Sequence, residues 1–97
     1  MSKPSIEIEN VNHPGKRTRA DSAMYGAMRL AMLRALPPAA PGLTVNELSA
    51  AVLPHLPEAL FPGGAKAGWW TKAVQLDLEA KGLIKRTKAS PLRLYRT

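Results

Sequence analysis

Gly82 separates two kinds of chain. Before it, Leu78, Glu79, Ala80 and Lys81 close an amphipathic helix. After it, two short runs of apolar and basic residues, 83–86 and 92–96, flank a hinge at Ala89-Ser90-Pro91. A helical period that stops at a glycine predicts a left-handed cap and a change of direction. Short runs on either side of a proline-containing turn predict a β-hairpin. No acidic residue follows Glu79, whereas Lys81, Lys85, Arg86, Lys88, Arg93 and Arg96 are all basic. The C-terminal third is thereby constrained to a helix that leads into a cationic two-stranded flap.

Upstream, three segments carry helical signals. In residues 20–36, Met24, Met28, Ala31, Met32, Ala35 and Leu36 recur at spacings of three and four and form one apolar stripe, with Asp21 or Ser22 available as N-cap. Pro37-Pro38 ends that helix. The second helix has the clearest start: Thr44 with Glu47 three residues on makes a capping box, Leu43 and Leu48 are placed for a hydrophobic staple, and Pro54 is the stop. Leu48, Ala51 and Val52 are its buried stripe. Residues 54–64 are a long connection with three apolar residues, Leu56, Leu60 and Phe61, which predicts a packed segment with one helical turn near 57–60. The third helix spans residues 65–81. At 100° per residue its apolar arc holds Trp69, Trp70, Ala73, Val74, Leu76, Leu78 and Ala80, and its polar arc holds Thr71, Lys72, Gln75 and Glu79. Asp77 falls inside the apolar arc. A lone carboxylate there is costly, so it is expected to meet Arg17, Arg29, an indole or a backbone N–H. Trp69-Trp70 could stack on unpaired bases if exposed, but both tryptophans are expected in the core, Trp70 deeper than Trp69, because a small chain needs aromatic volume.

At 97 residues the chain has the length of one domain. Residues 1–20 read as an N-terminal arm and 21–97 as the folded unit. Within the arm, Ile6-Glu7-Ile8-Glu9 alternates like a short strand, and its isoleucines could add to the C-terminal hairpin. Asn10 to Gly15 is a turn cluster. There is no cysteine, so disulfides and thiolate metal sites are excluded. His13 and His55 lack the clustered ligands of a zinc site, and neither catalytic nor phosphate-loop motifs occur, so no metal, cofactor or enzymatic activity is expected. Arginines and prolines interrupt the apolar stretches, and the N-terminus has no signal-like run, so a cytoplasmic protein without membrane spans is expected.

A formal charge of +7 favours a polyanionic partner. Three basic groups of residues are candidate nucleic-acid contacts. On helix three, Lys72 suits phosphate or guanine, Gln75 adenine, and Thr71 phosphate or a thymine methyl, while Lys66 follows Gly63-Gly64 at the helix entry, where free amides favour an anion. On the flap, Lys85, Arg86, Lys88 and Arg93 reach outward to a phosphate backbone. In the arm, Lys16, Arg17 and Arg19 could track phosphates or enter a minor groove. The plainer readings are solvated charge, and lysines that keep a sheet edge from aggregating.

The stretch V-Q-L-D-L-E-A-K-G-L-I-K-R resembles the helix-to-wing junction of the winged helix-turn-helix superfamily. That resemblance covers roughly residues 43–97. It implies a mainly α fold with a small β-hairpin (α+β), three helices plus a C-terminal wing. The 54–64 connection departs from it, being about three times a tight helix-turn-helix turn of about 3–4 residues. I-E-N-V-N-H-P-G and L-F-P-G-G-A-K-A-G-W-W also resemble a family of small bacterial proteins of similar length, which implies size and fold but no activity. The functional expectation is a DNA-binding winged helix protein that regulates transcription, with double-stranded DNA as partner and a homodimer compatible with that role. The alternative is a winged helix that makes protein contacts only.

Overall fold

The computed structural model describes residues 4–87 and 91–97. The chain runs β1 (Ser5–Glu9), β2 (Arg17–Asp21), α1 (Ser22–Ala35), β3 (Leu43–Thr44), α2 (Val45–Val52), α3 (Ala67–Ala80), β4 (Ile84–Thr87) and β5 (Arg93–Arg96). Among the described residues it is a small α+β protein with three α-helices and two antiparallel sheets. β1 and β2 form a two-stranded hairpin, and the second sheet has the order β3-β5-β4.

Local chemistry sets most element ends. Asp21 caps α1 by accepting from the Met24 amide at 3.0 Å. Thr44 and Glu47 form the expected capping box: the Glu47 amide donates to Thr44 Oγ1 at 3.1 Å, and the Thr44 amide donates to Glu47 Oε1 at 2.9 Å. Those two bonds hold the Glu47 carboxyl below its ordinary value. At the end of α3, the Leu83 amide donates to Leu78 O and the Gly82 amide to Glu79 O, with Gly82 at φ 74°. This double closure needs a left-handed residue, which glycine supplies without a side-chain clash.

The long connection is a packed segment. One turn closes at Pro57, whose carbonyl accepts from Leu60 and Phe61. Phe61 is buried and meets Trp70 edge-on, with ring centroids 6.4 Å apart. Burying such a side chain stabilises the fold by about 1.5–3 kcal/mol. The core joins Met28 and Met32 of α1, Leu48 and Val52 of α2, Trp70, Val74 and Leu78 of α3, and Ile84 and Leu94 of the C-terminal sheet.

Three expectations need correction. Residues 1–20 were expected as an arm, but 5–21 make a hairpin with its own register, Glu7 opposite Arg19 and Ile8 opposite Thr18. Its isoleucines pair there and not with the C-terminal hairpin, and Ile8 and Ala20 enter the core. Next, α3 is rotated from the simple wheel. Thr71 and Gln75 are 1% and 2% exposed, so neither stands on a solvent face. The wheel assumes one buried side, but α3 packs against α1, α2, β1 and β4. Local bonds offset part of the cost of burial: Thr71 Oγ1 donates to Ala67 O at 2.7 Å, and Gln75 Nε2 donates to Glu79 Oε2 at 3.0 Å, while Gln75 Oε1 is buried without a partner among the described residues. Finally, Trp69, expected in the core, is 59% exposed.

Candidate nucleic-acid interface

Asp77 decides where the hairpin sits. Its carboxylate is wholly buried. Oδ1 accepts the Glu9 backbone N–H at 2.8 Å and also binds Lys81 Nζ, and Oδ2 accepts the Tyr25 hydroxyl. The partners are thus a backbone amide from the N-terminal segment, a phenol from α1 and a lysine one turn on, in place of Arg17 or Arg29. Val11 adds a backbone bond to Leu76 O at 3.3 Å. Burial, then the bond to Asp77, pushes the Tyr25 phenol far above its ordinary value. Lys81 also lies 5.7 Å over the Tyr25 ring. These contacts lay the hairpin along the outer side of α3.

Between hairpin and helix is a cleft of about 240 Å³. Trp69, Lys72, Ala73 and Leu76 form its α3 wall, and Ile8, Asn10, His13, Lys16 and Thr18 are on the hairpin side. Lys16 and Lys72, 56 positions apart in the sequence, therefore line the same cleft. Lys66 is exposed just before α3, in a left-handed conformation with φ 64°. Arg17 and Arg19 are not part of this cleft. They lie along β2 in contact with β1, Arg17 pairing with Glu7 at 3.6 Å and Arg19 donating to Ser5 Oγ at 3.0 Å.

The C-terminal flap contributes less free charge than its composition suggests. Lys85 is exposed on β4. Arg86 points back to α3 and forms a two-pronged pair with Glu79, whose side chain is only 4% exposed; that partner raises the guanidinium further above its already high value. Arg93 donates to Gly42 O at 3.1 Å and Glu47 Oε1 at 3.4 Å, tying β5 to the α2 entry. Both were expected to reach a phosphate backbone, and in this structure both bond within the fold. Arg96 Nε donates to Leu36 O at the end of α1. Lys88 lies outside the described residues.

The acidic side chains are consumed internally. Glu7 pairs with Arg17, Glu9 with Lys81 and Glu79 with Arg86. Asp21 and Glu47 cap helices, Glu58 accepts the Gly63 amide at 2.9 Å, and Asp77 is buried as above. Lys16, Arg29, Arg34, Lys66, Lys72 and Lys85 form no ion pair among the described residues, so the excess charge sits on exposed cations. The Trp69 cleft escaped the sequence reading because its two walls are more than fifty positions apart; the adjacent W-W pair was its only local signal.

The fold defines a small three-helix α+β protein with a cationic cleft under an N-terminal hairpin. The chain belongs to a family of unknown function (DUF6958), whose model matches residues 5–94. The match covers the hairpin, the helices and the flap as far as Leu94. No curated protein and no solved structure matches the chain.

Proposed function

We propose that this protein is a non-catalytic winged helix domain that binds double-stranded DNA through its phosphates, in the role of a transcriptional regulator. Three helices followed by an antiparallel C-terminal hairpin support the winged helix reading. One observation carries the binding: every carboxylate is engaged within the fold, while Lys16, Lys66, Lys72 and Lys85 are exposed without an ion pair among the described residues. Such cations displace condensed counterions from a phosphate backbone. Base reading by α3 is a poor fit, because Thr71 and Gln75 are buried and the hairpin occupies the outer face of the helix. Phosphate contacts position a protein without selecting sequence, so affinity should vary little between duplexes.

A second reading, a domain for protein contacts alone, is favoured by that same covering of α3. Titration against a labelled random duplex separates the two. DNA binding predicts a log affinity that falls linearly with log salt, by about 0.9 per phosphate contacted. Lys16→Glu, Lys72→Glu and Lys85→Glu should each weaken it and flatten the slope at unchanged stability. Arg86→Glu should instead destabilise the fold. Absence of binding at about 50 mM salt would overturn the DNA reading in favour of the protein-contact one.

A further inference from the structure

We infer that the cleft between the hairpin and α3 is a seat for one unpaired nucleotide, its base against Trp69 and its phosphate between Lys16 and Lys72. This deepens, and rests on, the reading of the protein as a nucleic-acid binder. Trp69 is the observation that demands an explanation. Tryptophan is the largest apolar side chain available for a small core, yet this one is 59% exposed while its neighbour Trp70 is 6% exposed. The Trp69 ring is not loose: it meets Trp70 edge-on at 5.1 Å and 85°. A buried ring thus orients an exposed one, and a preorganised ring loses little freedom when a ligand stacks on it.

The surroundings match one ligand chemistry. Lys72 follows Trp69 by three residues on the same helix wall, and Lys16 faces it from the hairpin. Neither has an ion-pair partner among the described residues. Apolar walls come from Ile8 and Leu76. Asn10 uses its side-chain oxygen to accept the Asn12 amide, which leaves its amide hydrogens to donate to a ligand edge. The Glu9 carboxylate, also at the cleft, is paired with Lys81 at 3.8 Å. A volume of about 240 Å³ is below that of a drug-sized pocket, about 300–1,000 Å³, and fits one flat ring rather than a whole cofactor. A flat ring with an attached anion is a nucleotide, and a base can stack on a side chain only when it is outside a duplex. Single-stranded DNA and RNA share that chemistry.

The experiment uses the full chain with oligo-dT, oligo-rU and a duplex, each about ten nucleotides long. Tryptophan emission and the anisotropy of a labelled strand are read together. Expected are binding of a single strand with quenched emission, loss of that quench in Trp69→Ala, and an affinity lower in that variant by about five- to a hundredfold. Trp69→Phe, which keeps a ring, should retain most of the affinity, and Lys16→Glu should lose it without changing the melting temperature. Preference for dT or rU identifies the source of the strand, and either supports the seat. If the duplex binds with the expected salt slope but single strands cause no quench, or Trp69→Ala binds as the parent does, the nucleotide seat is refuted and the phosphate reading stands. If nothing binds, both fail together.

Discussion

Tyr25→Phe isolates a single hydrogen bond at the centre of the fold. The ring stays, and with it the packing of α1 and the contact with Lys81. Only the hydroxyl that donates to Asp77 Oδ2 is removed. Asp77 has no solvent exposure, so water cannot take the vacated position without opening the structure. A hydrogen bond to a charged group contributes about 1.5–3 kcal/mol net. Against a total of about 5–15 kcal/mol for a domain, that is a large fraction. At roughly 4–8 °C per kcal/mol for a chain of this size, the melting temperature should drop by about 6–24 °C. Urea unfolding should show a lower midpoint at unchanged slope. Amide exchange should accelerate first at Glu9 and Val11, whose N–H groups bond Asp77 and Leu76 on α3. In an Asp77→Asn background the same Tyr25→Phe change should cost less, because the charge that strengthened the bond is gone. A loss below about 0.5 kcal/mol in the Asp77 parent, with no change in hairpin exchange, would refute the claim that this carboxylate clasps the hairpin to the helices.

Two further outcomes follow from particular contacts. Gly42→Ala should destabilise by at least about 2–3 kcal/mol, and a thermal melt is sufficient to see it, because a Cβ there would lie 2.0 Å from Leu94 O at a φ of +85°. A parent-like melting temperature would mean that β3 and β5 are not packed as described. The raised Tyr25 phenol contributes stability that is fully present below about pH 10 and is lost as pH rises toward the folded-state value. Unfolding midpoints should therefore fall above about pH 10, by up to about 1.4 kcal/mol per pH unit from this group, and Tyr25→Phe should show a smaller decline.

What could be read in advance was what neighbours in sequence decide. The Thr44–Glu47 box, the Asp21 cap and the Gly82 closure each involve residues within a few positions, so their geometry was implicit in spacing. The C-terminal hairpin was legible for the same reason, although Arg86 and Arg93 turned out to brace it inward. The N-terminal hairpin was half legible. Ile6-Glu7-Ile8-Glu9 carries strand alternation, but its partner Arg17-Thr18-Arg19-Ala20-Asp21 has one apolar side chain and reads as a charge run. The rotation of α3 was hidden because Thr71 Oγ1 and Gln75 Nε2 find acceptors within their own helix, which lets a polar residue pass into the interior even though Gln75 Oε1 is left without a partner among the described residues. Trp69 was misplaced by an argument about volume, whereas Phe61 and Trp70 together supply the aromatic bulk of the core.

β5 lies between β3 and β4, so both neighbours depend on a strand that is translated after them. During synthesis, the two residues of β3 and the four of β4 have nothing to pair with until Arg93–Arg96 leaves the ribosome. The hairpin at the other end waits as well, since its anchor at Asp77 is 68 positions downstream of Glu9. These residues should therefore stay open to chaperones and proteases until β5 has emerged, and their native structure should arise only then and all at once.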